Sequence, residues 1–164
     1  MVKEITAEVE AHLSVELVEA IDALAVLSKH FGRETLSAAI GEVSERLITT
    51  YVGGERRKRG TRGHDIFKGD QHFEVKARFI EHYGDSLKFD FGKHTAKAHT
   101  AYCVAWQMGE ASRASLLHVF EVGVPFLLET WATPKQKKYC ARTHLKLLKR
   151  ECGTARQGPG DYPN

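Results

Sequence analysis

Between positions 71 and 79, Phe73, Val75 and Ala77 alternate with Glu74, Lys76 and Arg78. Only an extended chain separates neighbouring side chains to opposite faces, so this stretch is a strand with one apolar face and one charged face. Gly69 and Asp70 precede it, and His64 to Lys68 precede them, which predicts a β-hairpin with a short turn. An apolar face demands a covering layer, and the segments before the hairpin have the period to supply it. Leu13, Leu17, Ala20, Leu24 and Leu27 recur at helical spacing, with Ser14 to open a helix and Gly32 to close it. A second helix is predicted from about Thr35 to Tyr51, with Leu36, Ile40, Val43, Leu47 and Tyr51 buried and Gly53 and Gly54 as its stop. Glu42 and Glu45 then share a face away from that stripe.

Residues 55 to 63 fit neither period and read as a basic loop carrying Arg56, Arg57, Lys58, Arg59 and Arg62. Further strands are expected at Leu87 to Phe91, Ala101 to Gln107, Leu116 to Val122 and Pro125 to Trp131, with one or two helical turns from Gly92 to His99. Thr133 and Pro134 suit the start of a helix running to about Arg150, although Thr143, Leu145 and Leu147 alternate as a strand would. With 164 residues the chain is sized for one domain, expected over 1–152, with a flexible tail at 153–164. Tyr102, Trp106 and Phe120 are assigned to the core, as are the three cysteines, Cys103, Cys140 and Cys152. Their odd number and the absence of a CxxC pair favour a reducing, cytoplasmic setting. The first residues do not resemble a secretory leader, and no apolar stretch approaches the roughly 20 residues that span a bilayer.

Residues 1–51 carry 4 basic and 9 acidic groups, whereas 52–164 carry 20 and 12. A basic portion of this size suits a polyanionic partner. Chemistry is concentrated in the hairpin. Glu74 and Lys76 project from one face, and the turn folds Asp65 back towards them. Two carboxylates and a backbone carbonyl, that of Val75, are the oxygen donors that Mg²⁺ accepts while keeping several waters. Lys76 would orient the attacking water or neutralise an oxyanion beside the ion.

Asp65, eight intervening residues and then Glu74, Val75 and Lys76 resemble the PD-(D/E)xK nuclease superfamily, the restriction-endonuclease-like fold. Gly41 and Glu45 on the preceding helix resemble it too, and His64 stands where the name-giving proline would be. The resemblance covers residues 35 to 107. It implies an α/β domain in which a mixed sheet is flanked by helices, built on a helix, three strands, a helix and a strand, with an extra N-terminal helix in this chain. It implies a metal-dependent endonuclease using Mg²⁺, for which Mn²⁺ can substitute. Glu45 becomes a further acidic ligand and catalytic residue beside Asp65, Glu74 and Lys76, with Glu42 as its neighbour.

The partner implied is DNA, with RNA not excluded. Its backbone would lie on Arg56, Arg57, Lys58, Arg59, Arg62, Arg78, Lys93 and His94. The basic segment from Lys135 to Arg150 has a second reading as a solvated helix face. A two-fold dimer would suit cutting of both strands, and no membrane association is expected. The alternative function is a catalytically silent nucleic-acid-binding or assembly module on the same fold. If the trio is catalytic, alanine at Asp65, Glu74 or Lys76 should remove cleavage and leave stability largely intact.

Overall fold

The computed structural model describes residues 1–28, 30–58, 64–80, 84–108, 113–134 and 139–156. In chain order the elements are β1 (Val2–Glu4), α1 (Thr6–Glu10), α2 (Val15–Leu27), α3 (Arg33–Val52), β2 (Glu55–Arg56), β3 (Ile66–Lys68) and β4 (Gln71–Phe79). There follow β5 (Lys88–Phe91), β6 (Thr100–Met108), β7 (Ala114–Gly123), α4 (Val124–Thr130), β8 (Ala141–His144) and α5 (Leu145–Arg156). Short 3₁₀ turns occupy Gly84–Ser86 and Lys93–Lys97. The protein is mixed α/β. Six strands form one sheet in the order β1-β7-β6-β4-β3-β2, in which β4 and β6 run parallel and every other adjacent pair is antiparallel.

The middle of this sheet explains its sequence. Ala101 to Trp106 of β6 are all buried, because β6 is covered on both faces. On one side Tyr102, Val104 and Trp106 join Phe73, Val75 and Ala77 of β4 against Ile21 of α2 and Ile40, Leu47 and Ile48 of α3. On the other, Ala101, Cys103 and Ala105 join a core built from Phe89 and Phe91 of β5, Leu127 of α4, and Leu145 and Leu148 of α5. One buried polar contact fixes α3 on the sheet: Trp106 donates its indole N–H to Ser44 Oγ at 2.9 Å, and Ser44 donates to the Ile40 carbonyl at 2.7 Å.

Both helices and the hairpin form where the sequence predicts them, except that α2 ends at Leu27 and Gly32, expected to close it, is the N-cap of α3. Ser14 caps α2 by accepting the Leu17 N–H at 3.2 Å, although the buried face centres on Ile21 and Ala25, leaving Leu27 exposed. Gly53 ends α3 in the left-handed conformation with φ of 64°. The hairpin pairs Ile66 with Phe73, Phe67 with His72 and Lys68 with Gln71 around Gly69, also at positive φ.

Five expectations change. The basic stretch after Gly54 is not all loop, since Glu55 and Arg56 pair with Phe67 and Ile66 as β2. The expected strand at Leu87 to Phe91 forms as β5 but leaves the main sheet to pair with β8. Pro125 to Trp131 is a helix instead of a strand, because Pro125 falls in the first turn of α4, where its missing N–H costs nothing. The helix expected from Pro134 starts only at Leu145, after the strand β8; the alternation at Thr143 is the signal that prevails there. Helix α5 extends to Arg156, past the expected start of the tail, and residues 157–164 lie outside the described ones. Strand β1, unforeseen in the sequence, adds to the edge of the sheet by pairing Val2 with Val122.

Gly54 joins α3 to β2, and a Cβ there would stand 2.7 Å from the Phe67 carbonyl oxygen. Backbone cannot yield as a side-chain tip does, so Gly54→Ala should force β2 and β3 apart and cost about 1–3 kcal/mol. Urea unfolding checks this, and an unchanged midpoint would contradict it.

Candidate active site

The β3–β4 ladder stops at Ile66 and Phe73, and the site lies where it stops. Asp65 N–H still reaches the Phe73 carbonyl at 2.9 Å, one residue out of register. The next donor on β4, the Val75 N–H, is taken by the Asp65 carboxylate at 2.7 Å. Asp65 therefore does locally what a backbone carbonyl would have done, which pins its carboxylate beside Glu74. The Val75 side chain is in the core.

Glu74 is 8% exposed, and its Oε1 stands 2.5 Å from Lys76 Nζ. Glu74, Lys76 and Arg78 lie in register with Ala101, Cys103 and Ala105 of β6. Those small residues leave room for the charged side chains beside them on the neighbouring strand. From α3, Glu45 faces the same place and pairs with Arg56 of β2 at 3.0 Å, while Glu42 stands 3.6 Å from the same guanidinium. Ser44, locked to Trp106, fixes the rotation of α3 and so the direction of the adjacent Glu45. A Cβ at Gly41 would meet nothing within 4 Å among the described residues, so their packing does not require glycine there.

Electrostatics binds these groups into one unit. Burial raises the Glu74 pKa; Lys76 opposes that shift, and the Asp65 and Glu45 charges add to it. Burial also raises Glu45, against the hydrogen bond from Arg56, with Asp65 and Glu42 pushing the same way as burial. Asp65, Glu74 and Glu45 thus repel one another across a partly dry space, and Lys76 and Arg56 only partly compensate them. The donors are hard oxygens, as Mg²⁺ requires. Each is engaged with a neighbour, and among the described residues no three His, Cys, Asp or Glu side chains already stand in a metal-holding array. A cation would draw Glu74 from Lys76 and Glu45 from Arg56.

The expected backbone contacts divide. Arg56 is spent on Glu45 and Glu42. The Arg57 N–H donates to the Asp65 carbonyl at 2.9 Å, and its guanidinium lies over the Phe67 ring at 5.8 Å. Lys58 follows β2; Arg59 and Arg62 lie outside the described residues. Arg78 shares the face of Glu74 and Lys76 and donates to the Ala77 carbonyl. Lys93 is exposed and His94 half-buried on the 3₁₀ turn before β6. In the C-terminal segment Arg142 pairs with Asp90, Lys149 with Asp85 and Arg150 with Glu151, while Lys135, Lys137 and Lys138 lie outside the described residues.

Sequence reading missed a histidine cluster at the margin of the site. His64 and His72 stack with ring centroids 3.9 Å apart, and the His72 backbone N–H donates to His99 Nδ1 at 3.0 Å. His64 is 6% exposed, and neither ring nitrogen has a partner among the described residues. Burial, reinforced by His72 and Arg57, lowers its pKa to about 4, so it is a neutral ring at physiological pH. Its place just before Asp65, with His72 just before Phe73 and Glu74 on the paired strand, is the signal that could have revealed it.

Comparison with known protein families and with curated proteins finds no match for this chain.

Two stability measurements follow. Asp65→Ala should cost about 1–3 kcal/mol, because the Val75 N–H loses its acceptor; this revises the expectation of an unchanged fold. Asp65→Asn, which keeps an acceptor oxygen, should recover most of the loss, and equal stability of the two variants would show that the bond is incidental. Glu74 binds its proton more tightly folded than unfolded, so its ionisation opposes folding above the folded pKa, and that cost vanishes below the unfolded value of about 4.3. Glu74→Gln should therefore melt higher than wild type at pH 7, with the gap closing as the pH falls towards 4. A gap constant with pH would mean that burial of this carboxylate carries no penalty.

Proposed function

We propose that the protein is a Mg²⁺-dependent nuclease of the restriction-endonuclease-like type, hydrolysing phosphodiester bonds in nucleic acid, with DNA as the expected substrate. The observation that carries this reading is the meeting of Asp65, Glu74, Glu45 and Lys76 where β3 parts from β4. The element order supports it: helix α3, the antiparallel strands β2, β3 and β4, then a crossover to β6 parallel to β4. In this arrangement β2 supplies the first of the three strands, and the crossover carries the 3₁₀ turn Lys93–Lys97 where the resemblance expects a helix.

Asp65, Glu74 and Glu45, with the Val75 carbonyl, would hold the ion. Mg²⁺ supplies Lewis-acid polarisation of the phosphate and a lowered pKa for bound water. The raised basicity of Glu74 and Glu45 makes them better donors to a hard cation, since proton and metal compete for the same lone pairs. With Glu74 committed to the ion, Lys76 would be free of its ion pair, and its ammonium would orient the attacking water or face the phosphoryl oxygens as their charge grows. Asp65 cannot swing away without abandoning the Val75 N–H, so it would meet the ion preorganised, whereas Glu74 and Glu45 would have to leave their ion pairs. Arg57, Lys58 and Arg78 would hold phosphates on either side of the cut, giving affinity without base readout.

The ion pairs that hold Glu74 and Glu45 favour one second reading, a silent binding or assembly module in which the carboxylates are structural. Cleavage separates the two. Wild type incubated with supercoiled plasmid, branched DNA, single-stranded DNA and RNA should cut at least one of them in Mg²⁺ or Mn²⁺ and none in EDTA. Lys76→Ala should lose about 100-fold or more in rate while retaining nucleic-acid binding. Binding by wild type without cutting in either metal would establish the silent module instead.

A further inference from the structure

At Arg78 the charged face of β4 runs into a cleft of about 570 Å³, and apart from Arg78 its lining residues take no part in the catalytic reading. Its size is in the range that takes a small ligand or a single nucleotide unit. Phe31, Leu36, Phe79 and Met108 form its apolar walls, and Arg78 and Lys88 its basic rim. Phe31, in the connection between α2 and α3, is 48% exposed and belongs to neither hydrophobic core of the described residues, an unusual position for a large aromatic ring. The acidic residue of the lining, Asp90, is already paired with Arg142. Neither Arg78 nor Lys88 has a carboxylate partner among the described residues, so within them the cleft sets an aromatic ring beside two cationic side chains.

That combination fits an unpaired nucleotide. Base-on-ring stacking tolerates any base, and cations track the phosphates. A buried or duplexed base has no face free for Phe31, whereas a single strand does. The spacing along β4 gives the relation to the cutting site: four residues from Glu74 to Arg78 cover about 13 Å, about four nucleotides at the 3.4 Å rise of a stacked strand and fewer when it is stretched.

We infer that this cleft receives an unpaired nucleotide a few positions from the scissile phosphate, with its base on Phe31 and its phosphate on Arg78 and Lys88. The substrate class of the site is then nucleic acid with a single-stranded segment, a flap, gap or free strand, in place of uninterrupted duplex. The inference rests on the nuclease reading for what becomes of the bound strand; the binding itself does not require cleavage.

The test is fluorescence anisotropy of the full chain in EDTA with a labelled oligo(dT) dodecamer and with a labelled hairpin duplex. Phe31→Ala should weaken oligo(dT) binding by about 5- to 150-fold and leave the duplex affinity within about twofold. Joint replacement of Arg78 and Lys88 by Gln should flatten the salt slope for oligo(dT) by about 1.4, the effect of two lost phosphate contacts on a single strand. Phe31→Trp guards against misfolding as an explanation: Trp106 and Trp131 are buried, so quenching of the new indole by oligo(dT) reports stacking directly. Equal oligo(dT) affinity in wild type and Phe31→Ala, or an unquenched Phe31→Trp, would overturn the cleft assignment, even if metal-dependent cutting of duplex persists and the nuclease reading stands. Phe31-dependent binding with no cutting in any metal would uphold the cleft and remove the nuclease reading.

Discussion

Where β3 stops pairing with β4, the Val75 N–H needs an acceptor, and the Asp65 carboxylate provides it at 2.7 Å. An unpaired backbone donor at this depth would cost about 1–3 kcal/mol, so the position of the carboxylate is enforced by the folding of the hairpin itself. Everything that gathers around the site is placed relative to this point. Glu74 and Lys76 flank Val75 on the same strand, Arg57 donates to the Asp65 carbonyl, and Glu45 arrives from α3, whose rotation is fixed by the buried Trp106–Ser44 bond. Two hydrogen bonds, one at the strand edge and one in the core, thus convert an ordinary half-buried hairpin into a convergence of charges.

The convergence is costly for the fold. Three carboxylates share a partly buried space with two cations, and burial pushes both Glu74 and Glu45 towards protonation. A chain under selection for stability alone would place apolar or neutral groups there, as the opposite face of β4 does with Phe73, Val75 and Ala77. Local destabilisation concentrated on groups that suit a hard cation is the physical case for reading the site as chemical. The small residues of β6 beside Glu74 and Lys76 belong to the same arrangement, since larger ones would crowd those side chains.

Much of this was legible in sequence because its signals are local. Strict alternation at 73–78, the turn at Gly69 and the helical stripe with its glycine stop each depend on a few neighbouring residues, and each gave the observed element. The association of Asp65 with Glu74 followed from the hairpin register alone. What escaped depends on partners remote in sequence. Residues 55 and 56 are too few to show a period, and they become β2 only because β3 lies beside them. Strand β5 has the alternation of a sheet strand but pairs with β8, about 50 residues further on, a choice no local window contains. The Arg56–Glu45 pair likewise arises from a chain crossing, whereas the His64–His72 stack lies within the hairpin and its signal was local. The basic segment near 135–150 shows the opposite error, in which a capping signature at Thr133 and Pro134 outweighed the strand alternation that the fold uses.

Mn²⁺ reports on the proposed divalent-cation site of Asp65, Glu74 and Glu45 without any assumption about substrate. Titration of the protein with Mn²⁺, followed by electron paramagnetic resonance of the free ion, should show saturable binding by wild type that is lost in Asp65→Asn and in Glu74→Gln, both of which preserve side-chain shape. Mg²⁺ should compete for the same site. Binding that is equal in wild type and both variants, or no saturable binding at all, would contradict the account and leave the carboxylates as a structural cluster held by Lys76 and Arg56.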